Sequence, residues 1–224
     1  MLNSINILRN IIDRLRSHCL VYSPYLFMPK LYTVLQRMSD FLNEIEPLSP
    51  AVTTFINEEC LFIKAKKGAL LPTIQENQEY ILFFVISGLV RGYVLDKNKD
   101  ITVRLAGENA LIGHIRNPNS EVFTYDERLQ ALEDSELVAL PYTIIDKLYQ
   151  LHPETNILGR KLLAAQYHAA HIRSILSRIP SAEERYRQFL TLNPSLKSRI
   201  AGKFLASYLG MRMETLSRIR AKLK

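Results

Sequence analysis

Cysteine is scarce in this chain. Cys19 and Cys60 are the only two, and they stand far apart. They supply neither a disulfide framework nor a metal knuckle. Long apolar runs are missing too. The longest, Tyr80–Ile86, is far short of the roughly 18–20 residues a helix needs to cross a bilayer, and it reads as a buried strand. The N-terminus breaks its aliphatics with Arg9, Asp13, Arg14 and Arg16. It therefore lacks the unbroken apolar centre and small-residue cleavage site of a secretory leader, and the expected location is the cytoplasm, with no membrane partner. Nucleophile elbow, phosphate-cradling loop and zincin helix are all absent, so no enzyme and no cofactor are expected. His168 and His171 have a spacing that could hold a metal from one face. No third ligand stands near them, and no metal site is expected.

Acid is scarce in one region. From His171 onward there are twelve Lys/Arg against three Glu, a balance of +9 that leaves −2 for the rest of a chain whose total is +7. A near-neutral body with a basic tail points to an anionic polymer or surface as partner. At 224 residues, 47% hydrophobic and 23% charged, the chain has apolar material for one large domain or two small ones. Ile5, Leu8, Ile12 and Leu15 mark an amphipathic helix over residues 2–20. A second helical stretch covers Leu31–Ile45. From Cys60 to Pro141 the pattern changes to short strands separated by turn residues: Leu61–Ala65, Tyr80–Ile86, Leu89–Leu95, a run alternating from Ile101 to Leu105, Leu129–Leu132 and Glu136–Leu140. Such a series predicts an antiparallel sandwich or roll.

Helix then returns. Tyr142–Leu151 is short. The long stretch from Glu154 to Ile179 places Leu158, Leu162, Ala165, Ala169, Ile172, Leu176 and Ile179 at alternating spacings of four and three. That 3.5-residue repeat predicts a seam for pairing with a second copy. Pro180 ends the helix, and Ser181 with Glu184 forms a capping box that starts the next. Beyond Asn193-Pro194, Lys203–Leu209 and Arg212–Lys222 read as two helices joined at Gly210, the second crossing close over the small Ala206. This is a helix-turn-helix pattern. Leu216, Ile219 and Leu223 face inward on the second helix; Glu214, Ser217, Arg218 and Ala221 face out. Glu214 and Arg218 suit both a surface ion pair and base contact, since arginine binds guanine and a carboxylate accepts from cytosine. Arg199, Lys203 and Arg212 complete the candidate DNA-binding set, the first two as phosphate contacts.

The order of these parts resembles the Crp/Fnr family of transcription regulators, as do the local runs SGLVRGY at 87–93, ALEDSEL at 131–137, SAEERY at 181–186 and ASYLGM..ETLSRIR at 206–220. The last two are similar to regulators from the Bacteroidetes. The resemblance covers about Leu35 to Lys224. It implies an α+β chain: an N-terminal extension (1–34), an antiparallel β-roll like a cyclic-nucleotide-binding domain (35–152), a long dimerisation helix (153–180) and a winged helix-turn-helix (181–224). It further implies a homodimer on two-fold symmetric double-stranded DNA, with RNA polymerase as a further candidate partner. Glu214 and Arg218 match the family's recognition residues, whereas Met213 stands where its first recognition arginine would be. In the sensor cassette Gly113 matches, but His114 replaces the ribose-binding glutamate, and Tyr125 and Asp126 replace the phosphate-binding arginine and serine. Asp126 would repel a cyclic phosphate, so no cyclic AMP response is expected and the effector is unassigned. Cys19 and Cys60 do not supply the cysteine cluster of the iron–sulfur branch, while a haem-sensing branch, with a histidine or cysteine ligand, stays open. The competing reading is a ligand-binding roll whose helix-turn-helix serves protein interaction.

Overall fold

The computed structural model describes residues 20–22, 29–72, 80–97, 99–115 and 125–223. Most of the helix expected over 2–20 lies outside them, although Leu20 belongs to a strand. In chain order come β1 (Leu20–Tyr22), α1 (Pro29–Ile45), α2 (Pro50–Glu59), β2 (Leu61–Ala65), β3 (Leu70–Leu71), β4 (Ile81–Ser87), β5 (Val90–Asp96), β6 (Lys99–Ala106), β7 (Leu111–Gly113), β8 (Arg128–Ala131), β9 (Ser135–Pro141), α3 (Tyr142–Leu151), α4 (Thr155–Arg178), α5 (Ala182–Leu192), a 3-10 turn (Pro194–Leu196), α6 (Gly202–Tyr208) and α7 (Met213–Lys222). The architecture is α+β.

The strands form two antiparallel sheets, ordered β1-β2-β9-β4-β7 and β3-β8-β5-β6. Between them lies a core of Ile63, Leu71, Phe83, Val85, Val90, Leu129 and Leu137. Because side chains alternate across a strand, Phe84 and Ile86 of β4 point to the other face. There they meet Val34, Leu35 and Met38 of α1, Val52 and Ile56 of α2 and Leu158 of α4. β4 is thus buried on both faces and paired on both edges, as its unbroken apolar run requires. Helix α2 was not read from the sequence. Its start is chemically marked, since the Ser49 hydroxyl accepts from the Val52 amide at 3.4 Å and Pro50 opens the first turn.

A third apolar cluster crosses the boundary drawn at Pro180. Leu89 and Leu132 of the roll pack with Leu176 of α4 and with Tyr186, Phe189, Leu196, Leu205, Leu209 and Leu216 of the C-terminal unit. The same packing explains β6. A register shift between Gly92 and Tyr93 leaves Val103 unpaired and exposed and turns Thr102 to the side of Leu105, where α6 covers it and Leu105 packs on the C-terminal cluster. Two expectations are corrected here. No strand follows Pro141 among the described residues, so the C-terminal unit shows three helices without the β-wing the resemblance implied. The capping box is half formed: Ser181 Oγ accepts from the Glu184 amide at 3.2 Å, but the Glu184 carboxylate accepts from Gln188 instead.

The long helix α4 presents two faces. Leu158 and Leu176 of the expected seam are buried in the chain's own clusters, and Leu162 and Ile179 pack against them. Both ends of the seam therefore belong to the monomer core. Ala169 and Ile172 are half-buried and Ala165 is exposed. The opposite face exposes Leu163 by 61%, Tyr167 by 75% and Ile175 by 48%.

Candidate nucleic-acid interface

The bend between α6 and α7 turns on one glycine. Gly210 takes φ +61° with open space around it, a conformation in which a Cβ is strained. The amide of Met211 returns to the carbonyl of Ala206 at 3.0 Å, and that of Gly210 to Ser207 at 3.1 Å. An unforeseen side chain fixes this turn. Arg185 of α5 donates from Nε to the carbonyl of Leu209 at 2.8 Å and from Nη2 to that of Gly210 at 3.2 Å. Its Nη1 reaches Ile179 at 2.6 Å and Pro180 at 3.1 Å. One guanidinium thus ties the end of α4 to the bend between α6 and α7.

Leu216 and Ile219 of α7 are buried, and so are Leu205 and Ala206 of α6 beneath it. Arg212, Met213, Glu214, Ser217, Arg218 and Ala221 are exposed along the outer edge. Glu214 and Arg218, which suit either an ion pair or base contact, form no ion pair with each other, and neither has a hydrogen-bond or ion-pair partner among the described residues. The other basic groups of α7 are occupied. Lys222 bonds Glu183 at 2.8 Å, and the Arg220 guanidinium lies 5.9 Å from the Tyr186 ring. Lys203 is exposed, with its ammonium 4.7 Å from the Phe204 ring.

Arg199 is placed differently from its expected role as a phosphate contact. It faces the roll and bonds Glu108 at 2.8 Å, Glu133 at 2.7 Å and the carbonyl of Gly88 at 3.0 Å. The hydrogen bond from Arg199 pushes the Glu108 carboxyl from its ordinary 4.5 down to about 2.

The degenerate cassette is likewise self-satisfied. A Cβ on Gly113 would stand 2.4 Å from the carbonyl of Ile81, so only glycine lets β7 approach β4 here. His114 stacks on Tyr80 with ring centroids 4.2 Å apart. Burial lowers its pKa, an effect opposed by Glu127. Tyr125 and Asp126 are exposed. The charge pair that occupies this region was not read from the sequence: Arg104 grips both oxygens of Glu127 at 2.7 Å and also bonds the Gly113 carbonyl. Outside the roll, between β4, β9 and the helical layer, a cavity of about 520 Å³ is lined mainly by apolar residues such as Leu82, Phe84, Leu140 and Leu162, with Tyr149 and Gln166 among its polar groups.

The described residues thus form a two-sheet roll, a long helix and a C-terminal unit whose last two helices meet at Gly210. The same arrangement is found in solved structures. FixK2 from Bradyrhizobium japonicum superimposes with a TM-score of 0.60 at 20% identity, covering 72% of this chain and 83% of that one. A transcriptional regulator from Eubacterium rectale, described as of the Crp/Fnr family, gives 0.60 at 18% identity over 80% and 85% of the two chains. A CooA variant from Carboxydothermus hydrogenoformans gives 0.58 at 19% identity, with 81% of each chain covered. The chain therefore has the fold of Crp/Fnr regulators. No family model matches it. A curated lysophospholipase, NTE1 of Cryptococcus neoformans, is 31% identical over 102 residues, and the chain spans 6% of that protein's length. A match so confined assigns no reaction to this chain.

Proposed function

We propose that the protein is a sequence-specific DNA-binding transcription regulator of the Crp/Fnr type that acts as a homodimer. The observation that carries this reading is the outer edge of α7. Glu214 and Arg218 stand there exposed, without a partner among the described residues, on a helix whose other face is buried. An unpaired carboxylate on a basic helix is poorly placed against phosphates, but it is well placed to accept from a cytosine amine while the arginine reads guanine. Arg212 and Lys203 flank the edge as phosphate contacts, with Ser217 beside Arg218 and Met213 at the helix start. The fold shared with Crp/Fnr regulators supports the same role.

Pairing is proposed through the outward face of α4, centred on Leu163 and Tyr167, rather than through the seam, whose middle residues Ala165, Ala169 and Ile172 lie on the other side of the helix. Exposed apolar side chains of this size along one helix mark an interaction surface. Leu163→Asp with Tyr167→Asp is expected to give a monomer by analytical ultracentrifugation, and a persisting dimer would contradict this interface. The roll is proposed not to answer to cyclic nucleotides, because Asp126 lies in the cassette and Arg104 is already spent on Glu127.

The apolar cavity favours a second reading, in which the chain is a ligand-binding module and its helix-turn-helix contacts protein. Binding to random duplex DNA at two salt concentrations separates the two. DNA contact predicts a steep fall with salt through counterion release; no binding at low salt would favour the second reading.

A further inference from the structure

We propose that Arg199 is a positioning residue: it locks the helix-turn-helix onto the β-roll at a fixed angle and makes no contact with phosphate. The proposal rests on the DNA-binding reading above for its consequence, and on the geometry alone for the lock itself.

Arg199 lies between the 3-10 turn and α6, while its two carboxylate partners come from separate connections of the roll. Glu108 lies between β6 and β7, and Glu133 between β8 and β9. Its Nη1 donates to Glu108 Oε2 at 2.8 Å, and Nη2 to Glu108 Oε1 at 2.8 Å and Glu133 Oε2 at 2.7 Å. Its Nε donates to Glu133 at 3.1 Å. Every nitrogen of the guanidinium fork is used, in the planar geometry only arginine offers. The acceptors are themselves held. Glu108 accepts from the amide of Gly88 at 3.0 Å, and the carbonyl of that residue accepts from Arg199. Two carboxylates around one guanidinium leave a local negative charge, which repels a phosphate rather than attracting it.

A second contact stands beside the first and fixes the same orientation. Arg91 of β5 is buried, bonds Asp100 at 2.6 Å and Thr102 Oγ1 at 3.1 Å, and lies 3.8 Å from the Phe204 ring of α6. Ser207 of α6 accepts from the Thr102 amide at 3.0 Å. The first helix of the helix-turn-helix is thus held on the β5–β6 ribbon from two points, and α7 is left facing outward. In a dimer, the angle set at these points determines how far apart two α7 edges stand, and hence the half-site spacing they can meet.

The test compares three variants in the full chain: Arg199→Ala, Arg199→Lys, and Glu108→Gln combined with Glu133→Gln. Spin labels on cysteines at the exposed Val103 of β6 and Ala221 of α7, in a Cys19→Ser background whose remaining Cys60 is buried, with labelled chains diluted by an excess of unlabelled ones, report the intramolecular distance without any DNA. The wild type should give a narrow distribution, and all three variants a broadened one. A narrow distribution in every variant would overturn the lock, whether or not the protein binds DNA. Binding to a selected site and to random duplex gives the second readout. The lock predicts that the ratio of the two affinities falls by about 5-fold or more in each variant, that Arg199→Lys fails to rescue, and that the salt slope is unchanged. A phosphate-binding role predicts the opposite: the carboxylate variant binds both duplexes more tightly, lysine restores binding, and Arg199→Ala lowers the salt slope by about 1 for each phosphate no longer neutralised.

Discussion

Arg199 and Arg218 belong to the same three-helix unit and carry the same charge, but they face opposite ways. Arg199 is surrounded by two carboxylates and a carbonyl of the roll. Arg218 stands exposed with no partner among the described residues. An arginine's role is set by what already satisfies its donors, and sequence position alone does not reveal that. The inner face of the unit is structural and shares a core with the roll through Leu89 and Leu132. The outer edge instead exposes Glu214 and Arg218, with no partner among the described residues.

Substitutions on the two faces should therefore separate stability from binding. The largest loss is expected from Leu216→Ala, which removes a fully buried side chain from α7. It should cost about 2–5 kcal/mol in denaturant unfolding. Gly210→Ala comes next. Its added Cβ meets open space, so the cost is the backbone strain of a left-handed residue alone, about 1–2 kcal/mol, with a lower melting temperature as the readout.

Acid sharpens the comparison further. The Glu108 carboxyl titrates at about 2 in the fold because Arg199 bonds it, against an ordinary 4.5. A depressed carboxyl contributes stability that is complete above the unfolded value and disappears as pH falls through the folded one. Glu108→Gln should therefore be less stable than wild type at neutral pH, with the difference closing between about pH 4.5 and 2. A difference independent of pH would argue against the ion pair. The smallest effect is expected on the outer edge. Ser217→Ala should leave unfolding within about 0.5 kcal/mol of wild type.

The sequence disclosed what local pattern controls. The buried β4, the turn at Gly210 and the inward Leu216 and Ile219 each follow from period, turn chemistry or helix geometry. Helix α2 was missed because Val52, Thr53 and Thr54 are β-branched and obscured the Ser49-Pro50 start signal. The seam of α4 was legible as a stripe, but its partner was not. A 3.5-residue repeat does not say whether the surface opposite is a second copy or the chain's own body, and Leu158 and Leu176 meet the body. The grip on Arg199 and the Arg104–Glu127 pair join residues far apart in the chain, so no local spacing announces them. Arg185 lay inside a motif that the resemblance had already noted, and only the fold gives it the role of clamping the turn.

The central claim concerns the free edge of α7, and one comparison tests it most directly. Sites are selected from random duplex DNA with the wild-type protein, and binding to the preferred site is then measured for wild type and Arg218→Ala. The account predicts a loss of about 1–3 kcal/mol in binding, relaxed preference at one guanine of each half-site, and unchanged unfolding. Equal affinity and equal base preference in the two proteins would contradict it.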